Sequence, residues 1–129
     1  MDDFKRFYIL IRDDLKVSMG KLMVHVGHVC SAMAWHYLCA PQTPDLYNTF
    51  KKWYLGSAQT KILLKVKDLK ELRDFWSTAR LVHKLKTFEV EDAGFTKETE
   101  KGAVLMMGIE PLNKLESIAL GLDKLELYK

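Results

Sequence analysis

Residues Phe7-Tyr8-Ile9-Leu10-Ile11 form an unbroken β-prone run that stops at Arg12-Asp13-Asp14. Such a run, unlike an alternating one, predicts a strand covered on both faces. From Gly20 to Leu38 the period changes. Leu22, Val26, Val29 and Met33 recur at helical spacing, with Gly27, Ser31, Ala32 and Ala34 between them. Small side chains let a helix lie close on a sheet, so this helix is expected to be largely buried. A strand feeding such a helix is the opening of an α/β fold.

The rest of the chain continues the alternation. Pro41 and Pro44 break it, and Asp45 can cap a second helix over Leu46–Leu55, ended by Gly56-Ser57. Ile62–Val66 is the second predicted strand. Asp68 caps a third helix on which Leu69, Leu72, Trp76 and Ala79 share a face. Phe88–Val90 is a short third strand, Ala103–Ile109 a buried fourth, and Pro111–Leu120 a fourth helix. Leu125–Tyr128 either adds a terminal strand or docks. The expected fold is therefore a three-layer α/β sandwich, with an approximately four-stranded, mainly parallel but mixed sheet flanked by helices. The link between the third and fourth strands lacks a helix, which allows one antiparallel pair.

The 129 residues fit one domain spanning 1–129, and the composition, 48% apolar and 29% charged, is that of an ordinary globular chain. It argues against a disordered tail or a disulfide-dense miniature. Cys30 and Cys39 are expected to be reduced core thiols, which points to a reducing compartment and hence the cytoplasm. No apolar run approaches the roughly 20 residues that span a bilayer. The acidic start, Met1-Asp2-Asp3, is unlike the basic start of a secretion signal. The net charge of +3 conceals an asymmetry. Residues 51–86 carry ten Lys and Arg against three acids, whereas residues 87–129 carry five against nine. The basic stretch is either an ordinary solvated surface or, if gathered on one face, an attractor of polyanions.

α/β sheets bind ligands at strand carboxyl ends beside helix N-termini. Two loops qualify. Asp13–Lys21 brings Lys16, Gly20 and Lys21 to a helix start, where free N–H groups and the dipole favour an anion. It lacks the Gly-x4-Gly-Lys-Ser/Thr of a phosphate loop and the three glycines of a dinucleotide-binding turn. Its alternative is a plain surface loop. Asp92-Ala93-Gly94-Phe95-Thr96 sets a carboxylate, a turn glycine and a hydroxyl at the end of a strand, as a hydrolytic site requires, or forms an ordinary Asp/Gly turn. His25 and His28 stand three apart without a convincing third metal ligand nearby, and His28 is expected to be a packed, hydrogen-bonded core residue. Met106-Met107 is expected to be core.

Read together, these pieces resemble a known family. Tyr8-Ile-Leu-Ile-Arg-Asp-Asp-Leu-Lys16, then Gly20-Lys21, then His28, are similar to the opening of the archaeal/eukaryotic-type (type 2) peptidyl-tRNA hydrolases. Gln59–Val66 resembles their second strand, Asp92-Ala93-Gly94-x-Thr96 their most telling motif, and Gly108-Ile109-x-Pro111 the end of their last strand. The likeness runs in order from about Phe7 to Tyr128. It implies a compact α/β enzyme, often a homodimer, that uses no cofactor or metal. Such an enzyme cleaves the ester of peptidyl-tRNA and frees tRNA from stalled translation. It places Lys21, Asp92 and Thr96 on the family's proposed catalytic positions. Lys16, Gly20, Lys51, Lys52, Lys61 and Lys65 are then expected to contact the tRNA. Some positions depart from the family pattern. Met19 stands where a lysine is usual, His25 where glutamine is, Phe95 where arginine is common, and Leu105 where a threonine is. Met19, Phe95 and Leu105 favour the alternative, a non-catalytic module of this descent that binds tRNA or a protein.

Overall fold

The computed structural model describes residues 4–39, 44–94 and 101–129. Four strands, β1 (Arg6–Arg12), β2 (Lys61–Val66), β3 (Thr87–Glu91) and β4 (Val104–Leu112), form one sheet in the order β2-β1-β4-β3. Strand β1 is central and receives helices on both faces, which is why its run is unbroken rather than alternating. Phe7, Ile9 and Ile11 pack against helix α1 (Met19–Cys39) and α2 (Pro44–Lys51). Tyr8 and Leu10 face the layer of α3 (Leu69–Ser77) and α4 (Lys114–Ala119), meeting Leu72 and Leu120. Met106 and Met107 are both almost fully buried, one on each face. The three-layer α/β sandwich is thus as expected.

The sheet is mixed, as expected, with three of its four strands running the same way, but two neighbouring pairs rather than one are antiparallel. Only β1 and β2 pair in parallel; β1 with β4 and β3 with β4 are antiparallel. The cause is the connection between β3 and β4, which carries no helix among the described residues and returns the chain beside the strand it left. Strand β4 fills the centre of the sheet and forces close packing there. A Cβ added at Gly108 would lie 2.5 Å from the Phe7 ring and 2.8 Å from Val29 Cγ1.

Several boundaries move for local reasons. Both α2 and α3 run on into a π-helical turn, at Lys52–Gly56 and Thr78–Val82. Asp68 caps α3 as expected, its side chain accepting from the Glu71 N–H at 2.9 Å. Pro111 belongs to β4, and α4 begins three residues later. There Asn113 and Glu116 form a reciprocal capping box. Leu127 bridges Leu64, so the C-terminus docks on the edge of β2. Both cysteines are free thiols, but only Cys30 is near the core, where burial pushes its thiol pKa up. Cys39, expected inside, is exposed in the last turn of α1 because its side of the helix faces away from the sheet.

Candidate active site

Strands β1 and β3 are each antiparallel to β4, and β2 is parallel to β1, so β1, β2 and β3 all end at the same edge. That shared polarity brings the two candidate loops together. The first is tied down by Arg12. Its guanidinium grips Asp14 with two bonds of 3.0 and 2.8 Å and donates to the Val104 carbonyl at 3.2 Å. The loop leaving β1 is thereby held against the start of β4. Ser18 then opens α1, its Oγ accepting from the Lys21 N–H at 3.2 Å. Lys21 sits in the first turn and points back towards the sheet edge.

The second loop is tied at its neck. The Asp92 N–H donates to the Ala103 carbonyl at 2.9 Å, and the Gly102 N–H to the Asp92 carbonyl at 2.7 Å. Gly94 has φ +77°, a conformation natural to glycine, and a Cβ there would stand 2.8 Å from Lys101 Cβ. The neck closes only around a residue without a side chain.

Lys21 Nζ lies 3.3 Å from Asp92 Oδ2, across 71 residues of sequence. Both residues are more than nine-tenths buried, at 8% and 7% exposure. A buried charge is costly unless paired, and this pair satisfies that requirement. One helical turn beyond Lys21, His25 reaches the other carboxylate oxygen, with Nε2 3.5 Å from Asp92 Oδ1. Burial pushes the His25 pKa down. The hydrogen bond to Asp92 opposes that shift, and the charges of His28 and Lys21 reinforce it. A neutral imidazole carries one N–H, and only the Nε2 proton can serve the carboxylate. Its Nδ1 is buried and has no hydrogen-bond partner among the described residues. Ser18, Gly20, Lys21, His25 and His28 line one wall of an open cleft of about 800 Å³, and residues 90–93 line the other. An ammonium beside a carboxylate at the rim of such a cleft can bind an anion, or activate water beside a polarised carbonyl.

The remaining sequence-derived candidates are scattered. Lys16 is exposed on the loop before α1, and Gly20 is on the cleft wall. Lys65 is half-buried and paired with Glu126 at 3.4 Å. Lys61 opens β2 opposite Phe7, hence at the other edge of the sheet, with its ammonium 5.3 Å from the centre of the Trp53 ring. Lys51 and Lys52, both exposed, line a separate surface recess with Asp45 and Leu55. The basic stretch is therefore not gathered around the cleft. Thr96 and Phe95 lie outside the described residues. Met19 is exposed, and Leu105 is buried in β4.

The histidine assignment is corrected. His28 is exposed, its ring edge-on to that of His25 at 5.3 Å, and His25 is the buried one. The i, i+4 spacing of Lys21 and His25 carried that signal, since it sets both on one helix face.

The family model described as "Peptidyl-tRNA hydrolase PTH2" matches residues 5–128. A peptidyl-tRNA hydrolase of Methanopyrus kandleri is 38% identical over 103 residues, covering 80% of this chain and 81% of that protein. Peptidyl-tRNA hydrolases of Sulfolobus acidocaldarius and Saccharolobus solfataricus are 30% and 28% identical. They cover 80% and 88% of this chain, and 83% and 92% of their own lengths.

Proposed function

This chain belongs to the peptidyl-tRNA hydrolase PTH2 family, and from that membership we propose how its own residues carry the reaction. The protein hydrolyses the ester between a peptide and the terminal ribose of tRNA. The observation that carries the assignment of roles is the buried contact of Lys21 with Asp92 at the cleft.

Asp92 is the base. A water seated between it and the ester carbonyl loses a proton to the carboxylate as its oxygen bonds to the carbonyl carbon. The negative charge that develops on the carbonyl oxygen faces the Lys21 ammonium. When the carbonyl reforms, the bond to the ribose oxygen breaks, and that oxygen takes the proton from Asp92. The products are a peptide carboxylic acid and tRNA with a free hydroxyl. Asp92 returns to its starting form, so no cofactor is consumed. Thr96 orients the water in this scheme. Lys21 also holds Asp92 in place between turnovers, because neither charge is tolerable in this site alone.

Lys16, exposed on the loop before α1, takes the tRNA backbone nearest the reacting end, and Lys51, Lys52, Lys61 and Lys65 extend that contact away from it. Backbone contacts carry little sequence information, as suits an enzyme acting on many tRNAs. A homodimer acting in the cytoplasm to rescue stalled translation completes the proposal. No helix among the described residues is long and apolar enough to cross a membrane. Light scattering on the purified chain tests the dimer.

Peptide release from an N-acetylaminoacyl-tRNA tests the roles. Lys21→Ala is expected to lower kcat by about 10²–10³-fold, the usual cost of an oxyanion donor. Asp92→Ala is expected to lower it by about 10²–10⁴-fold, as for a positioned base. Near-wild-type turnover in either variant refutes its role. Neutralising one backbone-binding lysine weakens tRNA binding and reduces the salt slope by about one, with kcat unchanged. A binding module would retain tRNA and release no peptide.

A further inference from the structure

We propose that His25 is a positioning residue of this cleft, holding Oδ1 of Asp92 so that Oδ2 stays on Lys21 and the carboxylate cannot turn. The proposal rests on the reading of Asp92 as the base. Three observations carry it. The carboxylate is approached from two sides, by Lys21 at 3.3 Å and by His25 at 3.5 Å. All three side chains are at least nine-tenths buried, so no bulk water competes for these contacts. The second ring nitrogen of His25 has no hydrogen-bond partner among the described residues, so among them Asp92 and packing hold the ring.

The chemistry of imidazole makes this clamp conditional. With the ring neutral, the Nε2 proton binds Asp92 and Nδ1 is bare. A second proton would leave an N–H at Nδ1 with no acceptor and would set two cations on one carboxylate, weakening it as a base. Among the described residues, the charged or titratable groups around the ring are Lys21 and His28 from α1, Asp92 from the end of β3, and Glu91, which lines the same cleft. Burial keeps the ring neutral to lower pH than the ordinary 6.5. Glutamine in its place would supply the same kind of N–H to Asp92 and could not take up a proton.

The test compares His25→Leu and His25→Gln by kcat and KM on an N-acetylaminoacyl-tRNA from neutral to acid pH, with thermal unfolding measured alongside. His25→Leu is expected to lower kcat by about tenfold to a hundredfold, the cost of a slightly misplaced reacting group, with KM little changed. His25→Gln is expected to restore most of kcat and to hold it at acid pH where the wild type declines. Unchanged kcat in His25→Leu, or the same acid decline in His25→Gln, overturns the proposal. A second measurement is independent of turnover and of those variants: nitrogen-15 NMR of the histidine rings in the wild type and in Asp92→Asn. The clamp requires the Nε2–H tautomer at neutral pH, and a His25 that titrates at lower pH once the Asp92 charge is removed. The opposite tautomer, or a titration indifferent to Asp92→Asn, overturns the clamp. The clamp seen by NMR in a wild type that releases no peptide overturns the hydrolytic reading of the cleft instead, and the catalytic purpose of His25 with it.

Discussion

At the amino edge of the sheet Phe7 meets Trp53 and Phe88 edge to face, with ring centroids 5.8 and 6.3 Å apart. At the carboxyl edge the buried side chains include Lys21, His25 and Asp92. These are the only buried lysine, histidine and acid among the described residues. One edge gains stability from apolar area and ring contacts. The other loses some, because each of its charges gives up water and regains only what its partner returns. The same strands supply both. The difference lies in the segments beyond the strand ends, a long aromatic-rich helix-and-turn segment before β2 at one edge and two short tied loops at the other.

This contrast is sharpest in a pair of truncations. Phe7→Ala is expected to cost about 3–5 kcal/mol of stability, as buried aromatic truncations do. The folded protein should keep its kcat. Asp92→Ala should abolish most turnover and cost stability as well, because it strands the buried Lys21 ammonium. Denaturant midpoints and single-turnover rates on both variants check this. Turnover that survives in Asp92→Ala, or that falls in folded Phe7→Ala, would break the contrast.

A smaller effect is expected where the two edges join. Gly108→Ala puts a methyl group into the Phe7 ring and Val29, and overpacking of that kind costs about 1–3 kcal/mol. Thermal unfolding reads the loss. Phe7→Leu in the same chain should recover part of it, since a smaller side chain makes the room.

The smallest effect is electrostatic and depends on pH. The Arg12 guanidinium beside Asp14 holds its carboxyl below the ordinary 3.8. A carboxyl that is more acidic in the folded state stabilises the fold above the unfolded value and stops doing so as pH falls through the folded one. Wild type and Asp14→Asn should therefore differ slightly in denaturant midpoint at neutral pH and converge at strongly acid pH. A gap that persists there would assign Asp14 a role other than its pairing with Arg12.

Much of this is legible in the sequence because local chemistry and tertiary structure agree. The unbroken run of β1, the period of α1 and the Asp68 cap each describe one element, and each is found. The meeting of Lys21 with Asp92 is also within reach, since strand carboxyl ends gather at one edge in α/β folds. Features that depend on strand order are not legible. The antiparallel balance of the sheet comes from β4 inserting between β1 and β3, and no local signal in β4 announces that neighbour. The placement of the basic stretch is not legible for the same reason. Lys51, Lys52 and Lys61 precede or open β2 and therefore sit at its amino end, away from the cleft. Asn113 and Glu116 do carry a readable capping signature, but Pro111 competes as a helix start. Pairing His25 with His28 as metal ligands hides its i, i+4 relation to Lys21.

The knot at Asp92, Gly94, Gly102 and Ala103 has a practical consequence. Two backbone bonds, Asp92 N–H to Ala103 and Gly102 N–H to Asp92, fasten the chain at the end of β3 and just before β4, so main-chain bonds set where Asp92 stands. Lengthening a loop adds only a slowly growing closure entropy. Extra residues added beyond Thr96 are therefore expected to cost little stability, which thermal unfolding reads.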